Sequence, residues 1–190
     1  MTTTKTAPKQ TPTRQCHKRT PKLDIPALLD LVSQNGWKNF SCLIDLPIAA
    51  NTLPLHTCAW LTARMNAACP PDQLAALSPK DRLFDLLLAR LEAMEPHKTA
   101  FHLLAESVRR TPALAYPFYK AQIEAMRGLL TRAGMPQTTR NSYLLLGVYH
   151  YVLLDWTPTT TSSHDKTMAK LDQVLTKTFR LFETELSPPV

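Results

Sequence analysis

Residues 140–179, RNSYLLLGVYHYVLLDWTPTTTSSHDKTMAKLDQVLTKTF, decide the fold. Within them, residues 143–154 are apolar or aromatic on every face of a helix except at Gly147 and His150, which predicts a central helix with no wet side. This apolar run has about 12 residues, whereas a bilayer span takes about 20. The sequence therefore predicts a helix that is buried by protein, or by protein together with a bound apolar ligand.

A second helix follows a turn rich in Thr and Ser at residues 158–163. Its apolar residues recur at helical spacing and form one stripe, which consists of Leu171, Leu175, Phe179, Phe182 and Leu186. An amphipathic helix of this kind lays its stripe either on the preceding helix or on another subunit. The two helices are therefore predicted to form an αα-hairpin.

The composition favours an all-α protein with one main domain. The chain has 190 residues, of which 44% are hydrophobic, and this is enough for one domain with a substantial core. Only 4 Gly stand against 16 Pro, and alternating β-branched runs are few. This pattern is typical of helices that are separated by prolines.

The positive charge is concentrated at the amino-terminal end of the chain. Residues 1–23 hold six of the 22 Lys and Arg residues and none of the 15 acidic ones, so most of the net charge of +7 lies there. The segment is poor in apolar residues, which predicts a disordered basic tail. Such a tail is either a passive solubilising segment or an arm that touches the phosphates of lipid or nucleic acid, and its composition does not favour a secretory signal.

Cysteine spacing and catalytic motifs indicate a binding protein. The four cysteines, at positions 16, 42, 58 and 69, show no C-x-x-C pair and no metal-ligand spacing with the histidines, so we expect reduced thiols, no metal and a cytoplasmic protein. Sequence motifs of hydrolases, metalloproteases and phosphate-binding loops are missing. We therefore expect neither catalysis nor a cofactor.

The chain after residue 23 is predicted to form two helical regions, and the hairpin belongs to the second of them. In residues 24–69, a helix that opens at Pro26 and stops near Gly36 is followed by two short ones, at 41–50 and 54–66, and three helices in this order suggest a helix-turn-helix module. The would-be recognition helix meets no basic residue before Arg64, which is unfavourable for reading DNA. Residues 78–186 form the second region, whose helices are predicted to start at Ser78-Pro79, His97 and Thr111-Pro112, with a kink at Pro117 and an end at Gly134.

Several short motifs resemble a known family. They are DRLFD at 81–85, LTRAG at 130–134, Tyr149 with Trp156 at the end of the apolar helix, and TMAKLD at 167–172. Together they are similar to the carboxyl-terminal domain of TetR-like regulators and, more narrowly, to the ubiquinone-biosynthesis accessory family of that fold, the lipid-binding Coq-nine proteins and their alphaproteobacterial relatives. Some members carry a Trp-Tyr pair where this chain has Thr138-Thr139.

The resemblance implies a fold, a ligand and partners. It implies a degenerate helix-turn-helix followed by a helical ligand-binding and dimerisation domain, with a homodimer formed by the last two helices through Leu171, Leu175 and Phe179. It further implies an isoprenoid or phospholipid in an apolar cavity, a ubiquinone-pathway hydroxylase as partner, and a peripheral contact with the inner face of a membrane. The alternative is a TetR-type DNA-binding transcriptional regulator that senses an apolar effector.

Large and flexible side chains on facing helices are the candidates for the cavity wall. They are Leu87, Leu91, Phe101, Phe118, Met126, Tyr149, Val152 and Trp156. The alternative is that these side chains simply fill the core. His150 is expected to be a hydrogen-bonded core histidine, and the hydroxyl of Tyr149 or Tyr151 is a candidate to meet a polar ligand head.

Overall fold

The computed structural model describes residues 24–43, 52–154, 156 and 164–183, with side chains for all of them except 37–43, 164 and 183. These residues form helices without any β-strand, which confirms the all-α prediction for the described part of the chain. In chain order the helices are α1 (Ile25–Leu43), α2 (Leu53–Ala68), α3 (Pro71–Ala75), α4 (Pro79–Met94), α5 (Lys98–Arg110), α6 (Pro112–Ala133), α7 (Thr139–Leu154) and α8 (His164–Glu183). The predicted tail at 1–23 and most of the predicted helix at 41–50 lie outside the described residues.

Local sequence signals set the helix ends. The Ser78 hydroxyl accepts a hydrogen bond from the Asp81 backbone N–H at 3.2 Å, and Pro79 occupies the first turn of α4, as predicted. Gly134 ends α6 in the left-handed conformation with φ of 75°. Gly36, with φ of 73° and ψ of 158°, interrupts α1 where the sequence predicts a stop, although helical backbone resumes beyond it.

One hydrophobic core joins the early helices to the later ones. Helix α1 packs chiefly on α5, and α2 packs on α4 and α6, so that Leu29 and Leu61 belong to the same buried cluster as Leu86. The described residues of the predicted module at 24–69 therefore share one core with the region 78–186. The cause is that α1 and α2 bury their apolar faces against later helices, whereas sequence patterning shows only that such faces exist.

Helix α8 lays its apolar stripe on its own chain. Leu171, Leu175 and Phe182 are fully buried, and α8 packs against α4 and α7. The Lys80 ammonium lies 3.0 Å from the Asp172 carboxylate and adds a surface ion pair between α4 and α8. The αα-hairpin prediction thus agrees with the packing of α8 on α7. Leu171 and Leu175, which were predicted as dimer contacts, are buried within their own chain, and Phe179 is half-buried against the core.

Helix α7 is buried on one side and exposed on the other. Leu145, Tyr149 and Val152 are fully buried, whereas Tyr143 and Tyr151 keep more than half of their surface exposed, at 57% and 53%. The prediction of a helix with no wet side is therefore wrong for the single chain. Among the described residues, no helix combines the length and the apolar character that a bilayer crossing requires.

Candidate ligand-binding cavity

A cavity of about 580 Å³ lies between α2, α5, α6 and α7. This volume falls within the range of small-molecule sites, and a well-packed interior has few voids larger than a water molecule. The wall is mainly apolar and aromatic: Cys58, Leu61, Met94, Phe101, Leu104, Ala105, Val108, Phe118, Tyr119, Tyr149, Leu153, Leu154 and Trp156. Thr57, His102, Arg109, Gln122 and His150 complete the lining.

The cavity has a buried floor and a mouth that opens to solvent. Thr57 and Cys58 of α2 and Tyr149 of α7 are buried at the floor, whereas His102, Arg109 and Leu154 are exposed. A ligand can therefore enter from solvent along the α5 and α7 side.

Four of the eight predicted wall residues line the cavity. They are Phe101, Phe118, Tyr149 and Trp156. The other four, Leu87, Leu91, Met126 and Val152, are buried in the packed core and do not line this cavity. Helical spacing predicts which side chains point inward. The relative positions of the helices decide whether such a side chain meets packed neighbours or borders the cavity.

Trp156 is held at the cavity wall by a pair of charged residues. Its indole Nε1–H donates to Glu95 Oε2 at 2.7 Å, and the Lys98 ammonium lies 4.9 Å from the centre of its ring. Lys98 also contacts Glu95 at 3.2 Å. These contacts fix the indole in place, so that in a chain with Trp37 and Trp60 replaced by phenylalanine the fluorescence of Trp156 reports on the cavity.

An arginine that the sequence analysis missed lies behind the floor of the cavity. Arg90 is completely buried, its guanidinium donates to Gln122 Oε1 at 2.9 Å and to Thr62 Oγ1 at 3.3 Å, and its Nε–H has no partner. The guanidinium carbon lies 5.5 Å from the centre of the Tyr149 ring. A sequence signal was present, because Arg90 falls on the helical stripe formed by Leu83, Leu86, Leu87 and Met94.

Burial suppresses ionisation of the two weak acids beside this arginine. Burial raises the pKa of the Cys58 thiol to about 11, although the nearby Arg90 charge opposes the shift. Burial also raises the pKa of Tyr149, whose hydroxyl donates to Met94 Sδ at 2.9 Å. Both groups are therefore neutral at physiological pH, and Cys58 is a poor nucleophile because only a thiolate attacks.

His150 lies half-buried in the cavity wall between aromatic rings. Its ring centre is 5.8 Å from that of Tyr119 and 6.0 Å from that of Tyr149. Burial lowers the pKa of His150, which favours the neutral imidazole. Tyr151, the other candidate for a polar ligand head, lies on the exposed face of α7 and does not line the cavity.

The cavity wall contains no carboxylate among its described residues. In the described part of the chain, no group of three His, Cys, Asp or Glu side chains is arranged to hold a metal ion. The wall therefore offers apolar contact, a few neutral hydrogen-bonding groups and positive charge, which is the chemistry of a binding site.

The predicted recognition helix forms part of this site. It corresponds to α2, and its first half buries Leu53, Thr57 and Cys58, of which the last two line the cavity floor. A recognition helix has to present the side chains of its first turns to the major groove. The burial of these turns weighs against DNA reading by α2.

No protein-family model matches the chain, and no curated protein is significantly similar to it.

Proposed function

We propose that this protein binds a lipid non-catalytically in the cavity between α2, α5, α6 and α7. The observation that carries the proposal is the cavity of about 580 Å³ with a mainly apolar wall and an open mouth. Apolar surface gains free energy when it leaves water, at roughly 25 cal/mol per Å². An apolar chain in this cavity would gain that free energy without any rearrangement of the packed core.

The proposed biological role is that of an accessory protein in ubiquinone biosynthesis. Its support is the resemblance of the motifs at 81–85, 130–134 and 167–172 to the TetR-like accessory family. In this role the protein would hold an isoprenoid quinone precursor, or another lipid, and present it to a hydroxylase at the membrane surface.

Lipid binding is tested by native mass spectrometry of the purified protein, followed by extraction and identification of the bound molecules. We expect a bound isoprenoid or acyl lipid at about one molecule per chain. A chain that is repeatedly purified empty, and that gives no change in Trp156 fluorescence when isoprenoid alcohols are added, would contradict the proposal.

The proposed homodimer uses the outer face of α7 and α8. Tyr143 and Tyr151 are exposed on α7, and Leu181 is exposed on α8. Gly147 lies between the two tyrosines, and a Cβ built there would meet no atom within 4 Å, which leaves room for the backbone of a second copy to approach. This face replaces the predicted contacts through Leu171 and Leu175.

A matched pair of glycine variants tests this face. Gly147→Glu adds a charge to the proposed interface, whereas Gly128→Glu adds the same charge to α6, where a Cβ also has open space. Analytical ultracentrifugation should show that Gly147→Glu is monomeric and that Gly128→Glu keeps the state of the wild type. A wild-type chain that is monomeric at every concentration would refute the dimer but leave lipid binding untouched.

A further inference from the structure

Arg90 carries a buried positive charge that no described carboxylate compensates. It is completely buried, and the groups it contacts are neutral: it donates to the oxygens of Gln122 and Thr62 and lies beside Cys58 and Tyr149. No described Asp or Glu forms an ion pair with it. An arginine stays protonated in proteins, so it cannot escape this cost by losing its proton. Buried charges in proteins are normally paired, and an unpaired one is strongly destabilising.

The guanidinium lies directly behind the cavity wall. Three of its neighbours, Cys58, Gln122 and Tyr149, line the cavity. Because Gln122 Oε1 accepts from Arg90, the amide nitrogen of Gln122 is the group left to donate to a ligand. The hydrogen bond from the charged guanidinium polarises the Gln122 amide, and the amide N–H groups therefore become better donors to an anion in the cavity.

The one charged side chain in the described cavity lining is also positive. Arg109 lies at the exposed mouth, and the described lining contains no acidic residue that would repel an anion. In such a low-dielectric site the field of a fixed charge is much stronger than in water.

We propose that the ligand is an anionic amphiphile, with a carboxylate at the end of a single apolar chain, and that its carboxylate lies against Gln122 and is paired with the charge of Arg90. This inference rests on the proposed lipid-binding function and names the class of lipid. The apolar chain then runs along the aromatic wall toward the mouth. The bound carboxylate supplies a counter-charge that none of the described carboxylates provides for Arg90.

The test compares two probes with the same chain, dodecanoate and 1-dodecanol. Their dissociation constants are measured by Trp156 fluorescence and by isothermal titration calorimetry, below the concentration at which either probe aggregates. We expect the wild-type protein to bind dodecanoate at least about tenfold more tightly, since hydrogen bonds to a charged group contribute more than neutral ones.

Gln122→Glu is the decisive variant. It places a carboxylate of the same shape next to Arg90, so the folded protein should become more stable and the affinity for dodecanoate should fall at least about tenfold. The affinity for 1-dodecanol should change little. Gln122→Met, which removes the amide without adding charge, covers the case in which Gln122→Glu does not fold, and it should abolish the preference for the acid.

Arg109→Gln serves as the control for charge at the mouth. It should weaken dodecanoate binding slightly and only at low salt, because exposed charges are screened. Equal affinity of the wild type for acid and alcohol would overturn the anionic inference while leaving lipid binding intact. A loss of preference in Arg109→Gln rather than in Gln122→Met would overturn the assignment to Arg90. Binding of neither probe would count against the proposed function itself.

Discussion

The two sides of the interior are built from similar apolar helices, but one is solid and the other hollow. The solid region contains Leu83, Leu87, Met126, Leu171 and Leu175, each of them without any exposed surface and outside the cavity lining. The hollow region lies between α2, α5, α6 and α7 and is walled largely by rings.

The difference follows from the side chains on the facing helices. Leucine side chains are small and flexible enough to interdigitate at the density of an organic crystal. In the hollow region, Phe101, Phe118 and Trp156 are large and rigid, while the polar groups of Arg90 and Gln122 have to keep their partners. Large rigid rings in the wall, together with hydrogen-bonded polar groups behind it, keep the helices from closing the space between them.

Leu87→Ala should cause the largest loss of stability among these variants. It disrupts the packing of the solid region and leaves the lining of the hollow region unchanged. Removal of this fully buried side chain should lower the free energy of unfolding by about 3 kcal/mol, because it leaves a cavity among close-packed neighbours. Urea denaturation measures the loss, and the affinity for dodecanoate should be unchanged.

Leu61→Ala is the matched comparison, since Leu61 is equally buried but lines the cavity. Its side chain already lacks neighbours on one side, so its truncation should cost clearly less stability than that of Leu87. Equal losses for the two variants would mean that the hollow region is filled in solution.

Arg82→Met compares the stability contribution of Arg90 with that of an arginine that is hydrogen-bonded to backbone carbonyls. Arg82 donates to the Leu74 carbonyl at 2.8 Å and to the Ala75 carbonyl at 2.9 Å, and it thereby joins the end of α3 to α4. Its replacement should cost about 2 kcal/mol in unfolding free energy, because two charge-assisted hydrogen bonds are lost.

Two further methionine variants complete this experiment. Arg64→Met, at an exposed position, should leave stability within about 0.5 kcal/mol of the wild type. Arg90→Met should cost less than Arg82→Met, since it also removes a buried charge that no described carboxylate pairs. A greater loss for Arg90→Met in thermal and urea unfolding would show that Arg90 is adequately compensated inside the protein.

The helices were predictable from sequence because their ends depend on local chemistry. Ser78 with Pro79 starts α4, and Gly134 ends α6, through contacts made within a few residues. Only half of the predicted cavity residues line the cavity. Periodicity predicts which side chains of a helix face inward, but it does not predict which other helices they face. Leu87 and Phe101 therefore looked equivalent in the sequence, and only the packing of α2 against α4 and α6 separates them.

The charged part of the site was missed for a different reason. A count of charges includes Arg90 as one basic residue among 22, although it occupies a position of the α4 stripe between Leu87 and Met94. The position of an arginine on an apolar stripe predicts burial. Its partner Gln122 is 32 residues away in the chain, so the pair follows only from the crossing of α4 and α6.

Ala105→Trp tests the hollow region directly, because the added indole fills part of it. Ala105 is exposed at the cavity mouth, so an indole there occupies the path of the apolar chain while the core stays intact. We expect the affinity for dodecanoate to fall about tenfold, or roughly 1.4 kcal/mol, with little change in unfolding free energy. Ala67→Trp, exposed on α2 outside the cavity lining, is the control and should bind as the wild type does.

The smallest expected effect is a pH dependence that arises in the hollow region from His150. Burial lowers the pKa of His150 below its ordinary value of 6.5, so the unfolded chain binds a proton more readily than the folded one. The contribution of His150 to stability is therefore fully present above pH 6.5 and is lost as the pH falls from 6.5 through the lower pKa of the folded state. The effect is modest because the imidazole is only partly buried and is close to water at the mouth.

His150→Gln isolates this contribution, because glutamine keeps a polar side chain that does not titrate. Urea denaturation between pH 7.5 and about 5 should give a smaller loss of stability for His150→Gln than for the wild type. His102→Gln, an exposed neighbour at the same mouth, should retain the wild-type dependence. Bound dodecanoate should reduce the loss in the wild type, because a ligand that binds only the folded state stabilises it at every pH. Identical pH profiles for the wild type and His150→Gln would mean that the imidazole is in contact with water. The cavity would then be more open to solvent than the aromatic rings around His150 indicate.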